Sequence, residues 1–237
     1  MKHIPNSITL INVFAGCCAS ICLFADADIW AIGFIMLAGM ADFGDGLAAR
    51  LLGVSSPVGK ELDSLADMIS FGFVPGLIAY KLLDQASGQT GDPINWIAIP
   101  GFAITIFSAV RLARFNLDER QTQDFIGLNT PTCTAFFAGL LALGTRNIFG
   151  ISGMLDQVWV LYLLIGLFSW LMNTDFPMFS FKFKQLSWKG NEIRYIFMVT
   201  TIVFFILLKE AAFSALVIVY ILLAIAHNMF AKSNKQA

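Results

Sequence analysis

Apolar runs of about 20 residues recur along this chain, at approximately 7–25, 29–52, 62–83, 95–115, 131–149, 156–173, 192–208 and 211–231. That is the length a helix needs to cross a bilayer. Polar or turn-rich segments separate the runs: DAD at 26–28, SSPVGK at 55–60, DQASGQTGDP at 84–93, LDERQTQDF at 117–125 and KFKQLSWKGNE at 182–192. Composition agrees, with 57% hydrophobic and only 13% charged residues and a mean hydropathy of +0.74. A soluble domain carries about 25% charged residues. The expected fold is therefore an all-α integral membrane bundle of about eight transmembrane helices. It forms a single domain over 1–237, with no separate soluble domain or repeat. No cleavable signal peptide is expected, because the first apolar run has no small-residue cleavage site after it.

The basic residues set the expected topology. With the N-terminus in the cytoplasm, all but three (Lys81, Arg146 and Lys209) of the fifteen Lys and Arg fall in cytoplasmic segments. The positive-inside rule then predicts an even number of spans and both termini cytoplasmic. Four cysteines (Cys17, Cys18, Cys22 and Cys133) lie in apolar stretches without paired zinc-binding spacing; they read as small packing residues. Gly39, Gly44, Ala48, Gly72 and Gly76 are expected to let the second and third helices pack closely.

Against this apolar background, four aspartates stand in one short stretch: Asp42, Asp45, Asp63 and Asp67. An ionised carboxylate at bilayer depth costs at least ~2.5–3.5 kcal/mol, so four together require a cation or a reaction. The spacings i to i+3 and i to i+4 put each pair on one face of its helix. Two such faces opposed form an oxygen-only cage suited to hard divalent cations. The charge balance places this end of both helices on the cytoplasmic side.

Written out, the pattern is Asp42-x2-Asp45-Gly46-x2-Ala49-Arg50-x8-Gly59-x3-Asp63-x3-Asp67. It resembles, position for position, the signature of the CDP-alcohol phosphotransferases, membrane enzymes in which an alcohol displaces CMP from a CDP-linked donor. The residue types suit that chemistry. A pyrophosphate must be neutralised before a nucleophile can approach, and two divalent ions do this. Gly46 and Gly59 lack side chains and would let the nucleotide approach the backbone, and Ala49 is small on the same face. Arg50 offers a planar fork to phosphate oxygens.

The resemblance implies roles. Asp42 and Asp63 would bridge two metals, Mg²⁺ or Mn²⁺. Asp45 would bind the first, and Asp67 the second while also taking the alcohol proton as general base. Gly46, Arg50 and Ser56 would contact the CDP portion. Asn6, in the Pro5-Asn6-Ser7-Ile8 segment, would add a nucleotide contact. Ser56 reads equally as a helix N-cap beside Pro57.

Three further segments, Arg111-Leu112-Ala113-Arg114-Phe115-Asn116, Gly127–Thr132 and Phe176–Lys184, resemble the phosphatidylserine synthase branch of that superfamily. The resemblance runs from about residue 4 to 184. Asn129 stands where a proline is expected, and the last two helices are without motif. It implies CDP-diacylglycerol and L-serine as substrates, a homodimer, and residence in a bacterial inner membrane with the active site facing the cytoplasm. Membrane lipids are expected partners, and nucleic acid is not. Arg111 and Arg114 share a helical face and would bind the serine carboxylate or a substrate phosphate; the alternative is anchorage to anionic headgroups. Lys182, Lys184, Lys189 and Arg194 read as a topological and headgroup anchor. Two rival readings remain: another acceptor, such as glycerol phosphate or inositol phosphate, or a cation transporter, since intramembrane carboxylates also mark ion pathways.

Overall fold

A computed structural model describes residues 3–54, 56–88, 93–117, 125–146, 152–178, 192–209 and 212–236. The basic stretch Lys182, Lys184 and Lys189 lies outside the described residues. The helices are α1 (His3–Phe24), α2 (Asp28–Leu51), α3 (Pro57–Asp67), α4 (Val74–Ser87), α5 (Ala103–Leu117), α6 (Thr130–Arg146), α7 (Ser152–Leu155), α8 (Val158–Asn173), α9 (Glu192–Leu208) and α10 (Ala212–Gln236). Helical segments therefore occur at each apolar run. Among the described residues, three stretches are long and apolar enough to cross a membrane: His3–Phe24, Asp28–Leu51 and Pro57–Ser87. Shorter apolar helices cover Thr130–Thr145, Val158–Asn173, Phe197–Leu208 and Ala212–Ala226.

Two details depart from the sequence reading. Helix α3 starts at Pro57 rather than near residue 62, because Ser56 caps it. The Ser56 hydroxyl accepts from the Gly59 amide at 3.0 Å, and Pro57 occupies the first turn. This is the arrangement that satisfies an orphan donor without costing a hydrogen bond. The chain is also not wholly helical: β1 (Phe125–Ile126) pairs antiparallel with β2 (Pro177–Met178).

Residues 57–87 form one continuous helical rod, with α3 passing into α4 through a π-helical turn at Met68–Phe73. A π turn widens the helix and leaves carbonyls to be satisfied from outside. Thr134 of α6 donates to the Phe71 carbonyl at 3.2 Å, and Thr105 of α5 to that of Gly72 at 3.0 Å. The rod thus runs between α1, α5 and α6. Helices α6 and α8 meet through Phe136 stacked on Phe168, centroids 4.0 Å apart. Most of the buried apolar side chains form one cluster spanning α1, α2, α4, α6, α8 and α10.

The small residues serve other contacts than the expected one. Gly72 and Gly76 face Ser108 and Thr105 of α5, Gly44 faces Ile8 of α1, and Gly39 faces open space. At the end of α2 and α4 away from the aspartates, Lys81 bridges Asp28 at 2.6 Å and Asp26 at 2.9 Å. Thr145 of α6 donates to the second oxygen of Asp28 at 3.0 Å.

Candidate active site

Helix α2 stops where Gly53 takes a left-handed φ of +61°, which glycine adopts without strain. The Ser56 cap starts α3 three residues later. So short a connection brings both helices back against α1, and their aspartate faces meet. Asp42, Asp63 and Asp67 each offer a carboxylate oxygen within 4.8 Å of the others. Oxygens across a single Mg²⁺ stand about 4 Å apart, since each bond is 2.0–2.1 Å. The triangle is therefore of the size a divalent cation takes.

Asp45 lies one turn along α2 and is 6% exposed. Its Oδ2, and Oδ1 of Asp63, are buried with no hydrogen-bond partner among the described residues. Among the described residues, none of the four carboxylates has a salt bridge. The four charges also lie close enough to repel one another. Half-buried or buried carboxylates that repel one another and lack a cationic partner are relieved by taking up a proton or by a bound cation. An oxygen-only set fits a hard one.

Beside this cluster opens a cavity of about 480 Å³. Its walls come from the first turns of α1 (Pro5, Asn6, Thr9), from α2 (Asp45, Gly46, Ala49, Arg50), from the connection (Gly53, Val54, Ser56) and from α3 (Gly59, Lys60, Asp63). Asn6, Gly46, Ala49, Arg50, Ser56 and Gly59 are thus gathered on one surface with two of the aspartates. Arg50 donates its Nε to the Gly46 carbonyl at 2.9 Å, which steadies the side chain on its own helix. The two glycines differ. A Cβ at Gly46 would meet nothing within 4 Å, so its missing side chain enlarges the cavity. A Cβ at Gly59 would stand 3.0 Å from Ser56 Oγ and 3.1 Å from Asn6 Oδ1, so that space is filled by protein.

Arg111 and Arg114 do not line the cavity. Arg111 is 5% exposed and donates its Nε to the Leu128 carbonyl at the approach to α6. Arg114 is exposed, with Nη1 3.5 Å from the Asn173 carbonyl. Asn116 exchanges hydrogen bonds with Ser64 at 2.8 and 3.2 Å, and its carbonyl accepts from Lys60 at 3.0 Å.

Three residues at or beside the site escape the motif: Thr9 and Lys60 on the cavity, and Asn12 against Asp67. Thr9 and Asn12 belong to the buried stripe of α1 with Pro5 and Gly16. Polar residues on the inward stripe of an apolar helix are the signal that marks them. Lys60 was legible only as a topological charge, because its segment read as a connector.

The family model described as CDP-alcohol phosphatidyltransferase matches residues 2–174, so α9 and α10 lie beyond it. Several relatives bear the name CDP-diacylglycerol–serine O-phosphatidyltransferase. That of Mycobacterium leprae is 31% identical over 185 residues, covering 75% of this chain and 58% of the relative. That of Helicobacter pylori is 27% identical over 186 residues, covering 78% and 74%. That of Bacillus subtilis is 33% identical over 140 residues, covering 59% and 73%. The chain thus spans little more than half the length of the mycobacterial protein.

Proposed function

The chain belongs to the CDP-alcohol phosphatidyltransferase family, and we propose that it transfers the phosphatidyl group of CDP-diacylglycerol to the hydroxyl of L-serine, giving phosphatidylserine and CMP. The observation that carries this reading is the carboxylate triangle of Asp42, Asp63 and Asp67 beside a cavity walled by Asn6, Gly46, Ala49, Arg50, Ser56 and Gly59. The names of the relatives support serine as the acceptor.

In this mechanism the cytidine diphosphate lies in the cavity, with Arg50 and Lys60 facing its phosphates. Gly46 leaves room for it beside α2. Asp42, Asp45, Asp63 and Asp67 would together hold two divalent cations. Bound there, Mg²⁺ or Mn²⁺ would polarise the phosphate under attack and offset the charge gathering on departing CMP. Asp67 takes the proton of the serine hydroxyl. The serine oxygen forms its bond to the diacylglycerol-bearing phosphorus, and the bond from that phosphorus to the bridging oxygen breaks. CMP leaves with the electron pair. Arg111 and Arg114 supply the cations that hold the serine carboxylate.

The same reading sets the chain in a bacterial inner membrane as eight spans, a single domain, with the site and both termini cytoplasmic. It acts as a homodimer. The test is CMP release by purified protein given CDP-diacylglycerol and a panel of alcohols. Release with serine and none when serine is omitted supports the assignment. Release with glycerol phosphate or inositol phosphate instead moves the chain to another acceptor, and cation flux without CMP release makes it a transporter.

A further inference from the structure

Asn12 is a wholly buried polar side chain on α1, 0% exposed, and it faces Asp67 across the seam between α1 and the central rod. Its Nδ2 donates to Oδ1 of Asp67 at 3.4 Å. The partner fixes the orientation of the amide, because only the NH₂ end can face a carboxylate oxygen. The other end, Oδ1, is buried with no hydrogen-bond partner among the described residues. Three residues past Asp67, Ser70 of the π turn donates its hydroxyl to the backbone carbonyl of Asn12 at 2.9 Å. Gly16, one turn further along α1, makes room for that contact: a Cβ there would stand 3.1 Å from Ser70 Cα. The turn from Asp67 to Ser70 is thus held to α1 at both ends.

Stability alone does not account for asparagine at this position. A buried acceptor without a partner is destabilising, whereas an apolar residue of similar size would carry no such cost. Local rules broken without a stabilising return are characteristic of functional positions. Among the described residues, the one side-chain partner of the amide is the carboxylate that the transfer reaction needs as its base.

We propose that Asn12 is a positioning residue for the phosphatidyl transfer: its amide pins one oxygen of Asp67 so that the other faces the incoming hydroxyl. The inference rests on the transferase reading above. In the step it serves, the proton passes from the acceptor hydroxyl to Asp67. The new O–P bond forms as the bond to the CMP oxygen breaks, and CMP carries away the electron pair.

The experiment uses the full chain in detergent micelles or nanodiscs, with wild type, Asn12→Leu and Asn12→Asp compared side by side. The readouts are kcat, KM for CDP-diacylglycerol and for serine, and the thermal midpoint with and without Mn²⁺. Asn12→Leu is expected to lower kcat by about 100-fold, the scale of loss for a misplaced reacting group. The donor KM stays within about twofold, and the Mn²⁺-induced rise in midpoint is kept. Asn12→Asp preserves shape but removes the N–H, and it loses kcat as well. Two results overturn the proposal: an Asn12→Leu enzyme with kcat near wild type, or one that loses thermal stability while keeping kcat, as a packing residue would. If Asn12→Leu does not fold, Asn12→Asp decides by the same split between kcat and KM. A wild-type chain that releases no CMP with any alcohol overturns the transferase reading itself, and this inference with it.

Discussion

Asn6 of α1 occupies the space that a side chain at Gly59 of α3 would need, its Oδ1 lying 3.1 Å from where a Cβ would stand. Gly46, across the cavity, has nothing within 4 Å. The two glycines of one motif therefore predict opposite responses to alanine. Both lie in helices, where Gly→Ala gains about 0.8–1 kcal/mol from backbone propensity. At Gly46 that gain is unopposed, so Gly46→Ala raises the thermal midpoint. The added methyl projects into the cavity, and the KM for CDP-diacylglycerol rises. At Gly59 the methyl presses on Asn6 and the Ser56 cap, so the midpoint stays level or falls. Thermal unfolding and donor KM measured on both variants check this; matching midpoints would sink the distinction.

The carboxylate cluster predicts a conflict between stability and function. Without a cation, Asp42, Asp63 and Asp67 repel one another. Removing one charge by Asp63→Asn then stabilises the metal-free protein, measured as a higher midpoint in EDTA than wild type. Adding Mn²⁺ reverses the order, because wild type gains a ligand-linked rise that the variant largely lacks. Asp67→Asn is expected to lower turnover by at least about 100-fold while keeping much of its CDP-diacylglycerol binding. An Asp67→Asn enzyme with wild-type turnover would refute the general-base assignment.

Sequence and structure agree where hydropathy contrast is sharp and diverge where packing decides. The four aspartates were legible because a carboxylate in an apolar run has few explanations, and their helical spacing set their common face. The apolar run puts the start of α3 near residue 62, whereas the N-cap reading of Ser56 beside Pro57 marks the true start, where the cap closes on Gly59. Nothing in MISFGF announces a π turn; its carbonyls are satisfied by Thr105 and Thr134, which lie far away in sequence. The two arginines share a face, but the direction of that face depends on how α5 packs between the central rod and α8. Both sides of α5 are apolar, so periodicity alone could not choose.

At the other end of the bundle, Lys81 ties the α1–α2 turn to α4, and Asp28 passes the contact on to Thr145 of α6. The side chains of Lys81 and Asp28 are only 11% and 9% exposed. Removing one partner of such a buried pair leaves an uncompensated charge, at about 3–5 kcal/mol. Lys81→Met is expected to lower stability on that scale, and Lys81→Met with Asp28→Leu to recover most of it. Asp28 lies 14 residues from Asp42 on one helix, about 21 Å at 1.5 Å per residue. The KM values of the folded double variant should therefore match wild type. A double variant no more stable than Lys81→Met, measured by thermal unfolding, would show that the cluster is not a pair in energetic terms.

The arginines of α5 are the sharpest test of the acceptor. Arg111 is buried and already gives its Nε to the Leu128 carbonyl, so its guanidinium is held in a fixed plane. Lysine at this site keeps the charge but loses both that hydrogen bond and the planar fork that grips a carboxylate at two points. If Arg111 holds the serine carboxylate, Arg111→Lys raises the serine KM by about tenfold or more, a change of at least 1.4 kcal/mol. The KM for CDP-diacylglycerol is then little altered. Arg114, exposed and only loosely placed against the Asn173 carbonyl, should show a smaller rise in serine KM on the same replacement. A headgroup anchor behaves otherwise: membrane retention depends on charge, which lysine preserves, so neither replacement would move the serine KM. Kinetics at saturating CDP-diacylglycerol with serine varied separate the two readings, and unchanged serine KM in both variants would remove the arginines from the acceptor site.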